Sequence, residues 1–130
     1  MTATARPKIL IVDDDREFRL LISTQLRSRN RVVFDAADVI QAISLAREKR
    51  PDVILLDIEL PGGDGFLILE RFKANTLFSA IPVIIVTARD RKVVEEKALR
   101  SGAAASFQKP VALEGLFTVI EQVLTSSPQM

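Results

Sequence analysis

The sequence predicts an α/β fold: a doubly wound sheet of five parallel strands with helices on both faces. Short runs rich in Val and Ile alternate about five times with segments whose apolar residues recur at helical spacing. The runs are apolar at nearly every position, which is typical of strands buried on both faces of a parallel sheet. A (βα)5 repeat of this kind forms one sheet and places its helices on the two faces.

Each strand is predicted from an apolar run, and each helix from a 3.6-residue repeat. The predicted strands are 8–12, 31–34, 53–56, 82–86 and 104–107. The helices between and after them are marked by Phe18, Leu21, Ile22 and Leu26; by Val39, Ala42, Ile43 and Ala46; by Phe66, Leu69 and Phe72; by Val94, Ala98 and Leu99; and by Leu113, Leu116, Phe117, Ile120 and Leu124. The Pro-Gly-Gly sequence at 61–63 predicts that regular structure is interrupted after the third strand. Gly102 occupies a helix C-cap position.

Length and charge indicate one globular domain. A chain of 130 residues can bury an apolar core, and it shows no repeat, linker or second domain. We expect 1–124 to form the domain and 125–130 to be a polar tail or the start of a truncated linker. A net charge of +1 favours neither nucleic acid nor a membrane as partner. No apolar stretch approaches the length of a membrane span, so we expect a cytoplasmic protein.

Two absent residue types limit the chemistry of the chain. The sequence has no Cys, which excludes disulfides, thiolate metal sites and a cysteine nucleophile. It also has no His, the commonest general base, metal ligand and phosphoryl carrier. Any phosphohistidine chemistry must therefore take its imidazole from another chain or from a region outside this sequence.

Polar residues follow four of the predicted strands. Asp13 and Asp14 follow the first strand, Asp57 follows the third, and Thr87 follows the fourth. Lys109 comes shortly after the fifth strand. Because the carboxyl ends of parallel strands share one edge, where ligands bind at the topological switch point, we expect these side chains to converge.

The three aspartates predict a metal site. Carboxylates about 4 Å apart repel by roughly 4 kcal/mol per pair at an effective dielectric near 20, so one takes a proton or a divalent cation binds among them. Oxygen ligands without His or Cys favour Mg²⁺. An aspartate beside Mg²⁺ can attack phosphorus, while Lys109 supplies a cation and Thr87 a hydrogen-bond donor. These are the components of phosphoryl transfer.

Four motifs resemble those of receiver domains, the response-regulator modules of two-component signalling. They are IVDDD at 11–15, LDIELPGGDG at 56–65, VTA at 86–88 and FQKP at 107–110. The similarity extends from about residue 7 to 124, with the motifs in the order and spacing of the family. It implies a flavodoxin-like fold with strand order 2-1-3-4-5, which places the first and third strands at the switch point.

The resemblance implies that Asp57 is the phosphoacceptor, phosphorylated by a partner histidine kinase or histidine phosphotransfer protein. It implies direct Mg²⁺ ligation by Asp14 and Asp57, with the Glu59 backbone carbonyl as a further ligand and Asp13 acting through water. It also implies a signalling switch rather than an enzyme, with self-catalysed phosphoryl transfer and slow autodephosphorylation.

The same resemblance implies a conformational switch. Thr87 and Phe107 would form the switch pair, Lys109 would contact the phosphoryl group, and the Lys109–Pro110 bond would be cis. Phosphorylation would be read out by the fourth helix, fifth strand and fifth helix, at about 90–124. Charges of both signs on this face would permit a homodimer. Glu59 and Arg89 are expected to overhang the pocket and to modulate hydrolysis of the acyl phosphate.

Other interpretations remain open at this point. An Asp followed by Ile-Glu-Leu after an apolar strand also resembles a haloacid-dehalogenase-type phosphatase, although the acidic cluster then comes too early in the chain. A third interpretation is an adaptor of the same fold that is not phosphorylated. For single residues, 13–15 could only cap the first helix, Thr87 only the fourth, Phe107 could be only a core aromatic, and Lys109 only a solvated lysine. The arginines of the first helix and its end predict a solvated face or, less favoured, a docking surface for an acidic partner; they are Arg16, Arg19, Arg27, Arg29 and Arg31.

Overall fold

A five-stranded parallel sheet forms the centre of the protein in the computed structural model, which describes residues 6–60 and 63–126. Its strands are β1 (Lys8–Val12), β2 (Val32–Ala36), β3 (Val53–Leu56), β4 (Val83–Thr87) and β5 (Ala105–Gln108). The helices are α1 (Arg16–Ser28), α2 (Val39–Lys49), α3 (Gly65–Ala74), α4 (Arg91–Arg100) and α5 (Leu113–Ser126). The strand order β2-β1-β3-β4-β5 confirms the predicted doubly wound topology.

The strands agree with the sequence prediction to within one or two residues. β1 and β3 have the predicted bounds, while β2, β4 and β5 begin one residue later and end one or two residues later than predicted. Pairing with β1 explains the longer β2, because Ile11 lies opposite Asp35 and Val12 opposite Ala36. The parallel ladder thus carries a polar residue that the apolar pattern does not include. A short antiparallel hairpin, Glu59–Leu60 with Gly63–Asp64, lies between β3 and α3.

The sheet separates two apolar cores. Leu10 and Val12 of β1 face a layer built with α2, α3 and α4, whereas Ile9 and Ile11 face a layer built with α1 and α5. Each of these four side chains is at most 1% exposed. Burying an aliphatic side chain of this size stabilises the fold by about 1.5–3 kcal/mol. The two cores therefore hold the carboxyl ends of the central strands in a fixed position.

Aspartates begin four of the helices. The N-caps of α1 to α4 are Asp15, Asp38, Asp64 and Asp90, and each side chain accepts hydrogen bonds from backbone N–H groups of the first turn. A cap of this kind contributes about 1 kcal/mol. The capping interpretation of 13–15 thus holds for Asp15 alone and leaves Asp13 and Asp14 for another role.

The ends of the later helices bear on two predictions. Gly102 follows α4 with a φ of 97°, the left-handed conformation expected after a helix. α5 continues through Ser126, so the first two residues of the expected polar tail are helical. Residues 127–130 lie outside the described part, as do 61 and 62 of the predicted interruption after the third strand, and the boundary at 124 stays a prediction.

Among the described residues, no helix combines the length and apolarity needed to cross a membrane.

Candidate functional site

Three carboxylates meet at the carboxyl edge of the two central strands. Asp13 and Asp14 directly follow β1, Asp57 follows β3, and these strands are neighbours in the sheet. One oxygen from each carboxylate lies within 4.8 Å of the others. Asp13 is 1% exposed and Asp57 6% exposed, while Asp14 is exposed to solvent. The predicted convergence of the acidic residues is therefore present in the fold.

Lys109 completes this cluster as its cation. Its Nζ lies 2.6 Å from Asp13 Oδ2 and 3.4 Å from Asp57 Oδ2, and its side chain is only 18% exposed. The Lys109 backbone N–H donates to the carbonyl of Thr87 at 2.7 Å, which anchors the residue beside the end of β4. The bond to Pro110 is cis. The interpretation of Lys109 as a solvated lysine is therefore wrong.

Burial and charge shift two pKa values in the cluster. Burial raises the pKa of Asp13 above its ordinary value, and this outweighs the hydrogen bond from Lys109 that lowers it. Burial lowers the pKa of Lys109. The hydrogen bond and charge of Asp13, together with the charge of Asp57, raise it by more than burial lowers it, so the net shift is upward. The pKa of Asp13 is thus raised mainly by burial, whereas the pKa of Lys109 is raised by the two carboxylates beside it.

Backbone N–H groups orient the two buried carboxylates. Asp13 Oδ1 accepts from the N–H of Asp15, and Asp57 Oδ1 accepts from the N–H of Glu59, each at 2.9 Å. These contacts two residues along the chain are Asx turns. In both residues one oxygen is held by the backbone and the other lies toward Lys109. The chain thus fixes which carboxylate oxygens are available to a ligand.

Thr87 is joined to the pair Glu59 and Arg89 at one side of the site. Its hydroxyl donates to Glu59 Oε1 and accepts from the Arg89 N–H, both at 3.4 Å. Glu59 Oε2 lies 3.8 Å from Arg89 Nε, with both side chains about half exposed. Because Asp90 is the N-cap of α4, the interpretation of Thr87 as only that cap is wrong. Thr87 is 1% exposed, so its hydroxyl is a buried donor with a long, weak bond.

Phe107 lies in β5 opposite Val86, the residue before Thr87 in β4. It is partly buried and packs against the core between the sheet and helices α1 and α5. This position agrees with the interpretation as a core aromatic and leaves a role in switching as a prediction.

Arg16, Arg27 and Arg29 are exposed, as the predicted solvated face requires, whereas Arg19 and Arg31 are only partly exposed, which corrects the prediction for these two. Arg19 Nη1 donates to the backbone carbonyl of Asp13 at 2.7 Å and so ties α1 to the acidic cluster. The remaining partners are the carbonyl of Val33 for Arg27, the ring of Phe117 for Arg29 and the carboxylate of Glu121 for Arg31. The partners of Arg29 and Arg31 are distant in the chain, and those of Arg19 and Arg27 are backbone carbonyls, so a side-chain pattern indicates neither kind of contact.

Phe18 has a contact that its helical spacing does not reveal. The Lys109 ammonium lies 4.3 Å from the centroid of the Phe18 ring. Phe18 belongs to the first turn of α1, four residues after Asp14, so one helical turn separates the ring from the acidic cluster. The repeat predicts only that this residue faces the core.

The donor set fits a divalent cation. Asp13, Asp14 and Asp57 offer hard oxygen ligands within reach of one ion, and the negative charge is larger than Lys109 alone neutralises. The Glu59 residue, expected to contribute its carbonyl, contributes its N–H to Asp57 in this structure. The arrangement has the parts for phosphoryl transfer: a buried carboxylate, a cation-binding cluster, an ammonium and a hydroxyl donor.

Comparison with known proteins gives one consistent result. The family model for the response regulator receiver domain matches residues 9–121. Protein PilH of Pseudomonas aeruginosa is 37% identical over 117 residues, covering 90% of this chain and 97% of its own length. Sporulation initiation phosphotransferase F of Bacillus subtilis is 34% identical over 117 residues, covering 90% and 93%. A putative response regulator of Chloroflexus aurantiacus superposes with a TM-score of 0.87 at 26% identity, covering 93% and 99%. The chain belongs to the response regulator receiver domain family.

Proposed function

We propose that this domain is a phosphorylatable switch of two-component signalling and that Asp57 accepts the phosphoryl group. The observation that carries the proposal is the meeting of three carboxylates, one ammonium and one buried hydroxyl at the edge of strands β1, β3 and β4. Membership of the receiver family favours this function over the phosphatase and over an adaptor that is not phosphorylated.

Asp57 is the best nucleophile of the three carboxylates. Its Oδ1 is held by the Glu59 N–H, and its Oδ2 is only loosely paired with Lys109 at 3.4 Å. Asp13 Oδ2 is engaged with the same ammonium at 2.6 Å and is more deeply buried. Asp14 is exposed, which suits a ligand that a cation meets first. The three carboxylates thus differ in environment as a division of roles requires.

Asp14 and Asp57 would hold Mg²⁺ directly, with the Glu59 carbonyl as a further ligand and Asp13 acting through water. When bound, the ion offsets the negative charge of the incoming phosphoryl oxygens. The support for this assignment is the all-oxygen donor set and the charge excess of the cluster.

In the transfer, an Asp57 carboxylate oxygen forms a bond to phosphorus while the bond from phosphorus to the donor nitrogen breaks, and the imidazole leaves with the electron pair. Lys109 can exchange its contact with Asp13 for a phosphoryl oxygen, because its ammonium already lies between the two aspartates. The Thr87 hydroxyl can exchange its weak bond to Glu59 in the same way. Both exchanges favour the charged product and change the position of β4 and the β5–α5 connection.

A partner must supply the phosphoryl group. The chain has no His, so a phosphohistidine donor belongs to a histidine kinase or to a histidine phosphotransfer protein. The similarity to a protein named for phosphotransfer supports a place in a relay. The readout surface proposed is α4, β5 and α5, through which the domain would also form a homodimer. Part of the charge on this surface is paired within α4, by Arg91 with Glu95 and Arg100 with Glu96.

The test is transfer from a small-molecule donor. Wild type, Asp57→Asn and Asp15→Asn are incubated with acetyl phosphate and Mg²⁺, and intact mass is recorded over time. We expect one added phosphoryl group in wild type and in Asp15→Asn, which keeps a good helix cap beside the cluster. We expect none in Asp57→Asn. Equal labelling of Asp57→Asn and wild type, or sustained hydrolysis of a phosphomonoester by wild type, would contradict the proposal.

A further inference from the structure

We propose that Phe18 is a positioning residue for phosphoryl transfer, whose aromatic face holds the Lys109 ammonium at the pocket. The inference rests on the proposed function, because it names a further residue of the same site. The Lys109 Nζ lies 4.3 Å from the ring centroid, well inside the distance of about 6 Å at which a cation is attracted to an aromatic face.

The Lys109 ammonium has competing partners. It has three N–H donors, and its hydrogen bonds in the structure go to Asp13 and Asp57. Both carboxylates belong to the cluster that would hold a cation, and Asp57 would also carry the phosphoryl group. Both therefore change partners during the proposed reaction. A lysine held only by them would lose its position at the step where its charge is needed.

The Phe18 ring provides a contact that does not change during that step. Attraction between a cation and an aromatic face uses none of the carboxylate oxygens and does not depend on the direction of an N–H bond. Lysine carries a compact charge on a flexible stem, so the ammonium can exchange hydrogen-bond partners while staying over the ring. Partial burial of Lys109, at 18% exposure, makes this attraction stronger than at a fully solvated site.

The fold holds the Phe18 ring in place. Phe18 follows the Asp15 cap in the first turn of α1 and packs against the core of α1 and α5. It also lines an open cleft of about 510 Å³ together with Leu21, Lys109 and Val111. Because the ring is only partly buried, its replacement by another apolar side chain leaves the main core intact.

A simpler interpretation is that Phe18 only covers the apolar stem of the lysine, as any side chain of similar size would. Two replacements separate the interpretations. Phe18→Leu keeps an apolar contact and removes the aromatic face, whereas Phe18→Tyr keeps the face. The matched control is Leu21→Ala, which removes apolar volume from the same cleft and the same helix.

The experiment has two measurements. The first is the proton chemical shift of the Lys109 Cε methylene, identified by its absence in Lys109→Gln; we expect an upfield ring-current shift that Phe18→Leu abolishes and Phe18→Tyr keeps. The second is the rate of phosphorylation by acetyl phosphate with Mg²⁺, followed by intact mass. We expect Phe18→Leu to react about threefold to fivefold more slowly, with Phe18→Tyr and Leu21→Ala within about twofold of wild type.

Each outcome decides the inference. A wild-type rate in Phe18→Leu, an equal loss in Phe18→Tyr, or an equal loss in Leu21→Ala would overturn it, because the aromatic face would then not be the cause. An unchanged Lys109 shift in Phe18→Leu would overturn it as well. If wild type itself takes up no phosphoryl group, the proposed function fails, and that failure is distinct from a difference among the variants of a reactive protein.

Discussion

Replacing Asp14 by Asn tests the electrostatics of the acidic cluster in an experiment that does not depend on phosphoryl transfer. Asp14 is the exposed member of three carboxylates whose oxygens lie within 4.8 Å of one another. Asp13 has a close partner in Lys109 at 2.6 Å, and Asp57 has a looser one at 3.4 Å. Removing the Asp14 charge therefore removes repulsion and leaves the contacts of Lys109 in place. We expect the metal-free protein to become more stable.

The magnitude follows from Coulomb's law. Two unit charges at the upper bound of 4.8 Å repel by about 0.9 kcal/mol in a water-like dielectric, the limit that suits an exposed group. Asp13 and Asp14 remain neighbours in the unfolded chain, so most of the gain comes from the separation of Asp14 from Asp57. We therefore expect the free energy of unfolding to rise by about 1 kcal/mol, which for a domain of this size raises Tm by about 3 °C.

Thermal unfolding followed by circular dichroism, in chelator and then in Mg²⁺, measures the effect. Asp15→Asn is the control, since it removes a nearby charge and keeps the cap of α1, with an expected change under about 0.5 kcal/mol. In Mg²⁺ the stability advantage of the variant should shrink, because an ion at ten times its dissociation constant stabilises wild type by about 1.4 kcal/mol and the variant less. A lower midpoint for Asp14→Asn in chelator, or an equal rise in Asp15→Asn, would refute the reasoning.

Three further predictions concern packing, the switch and the readout. Gly65→Ala should destabilise the protein by about 3 kcal/mol or more in thermal unfolding, because an added Cβ would lie 2.1 Å from Ile58 Cα. Gly115→Ala, where an added Cβ meets open space, should stabilise the protein by about 0.5–1 kcal/mol. Similar effects at both sites would contradict this prediction. Glu59→Ala should move the Thr87 methyl resonance of the unphosphorylated protein toward its position in beryllofluoride-treated wild type, since the hydroxyl loses its acceptor; no movement would count against the exchange of partners. Amide exchange should change on phosphorylation between 88 and 124, and changes confined to α1 would exclude that surface.

The parallel sheet and the convergence of the acidic residues could be predicted from the apolar runs, and the resemblance to receiver domains implied the strand order. An apolar run identifies a strand buried on both faces, and parallel strands end at a common edge. Asp13 and Asp57 therefore had to approach once β1 and β3 were neighbours. The position of Lys109 followed from the same rule applied to β5.

The partners of individual side chains could not be predicted in this way. Arg31 and Glu121 are 90 positions apart, and nothing in the pattern of α1 indicates that α5 would supply a carboxylate. The three consecutive aspartates look alike in sequence. In the fold, however, Asp15 is the N-cap of α1 and the side chain of Asp13 is buried. Helical periodicity predicts that a side chain is buried, but it does not indicate which residues the side chain contacts. The contact of Phe18 with Lys109 is missed for that reason.

The two groups proposed to move on phosphorylation start from contacts of unequal strength. Thr87 leaves a 3.4 Å hydrogen bond to a half-exposed Glu59, which is weak. Lys109 must leave a 2.6 Å contact with Asp13, a carboxylate that is 1% exposed. An unpaired charge at that depth costs several kcal/mol, so an ionised Asp13 needs a replacement cation before Lys109 can turn to the phosphoryl oxygens. A cation at the acidic cluster is therefore a condition for the movement of Lys109 and not for that of Thr87. Removal of Mg²⁺ from the phosphorylated protein should thus return Lys109 to Asp13 while Thr87 remains displaced, and the side-chain resonances of the two residues report this separation directly.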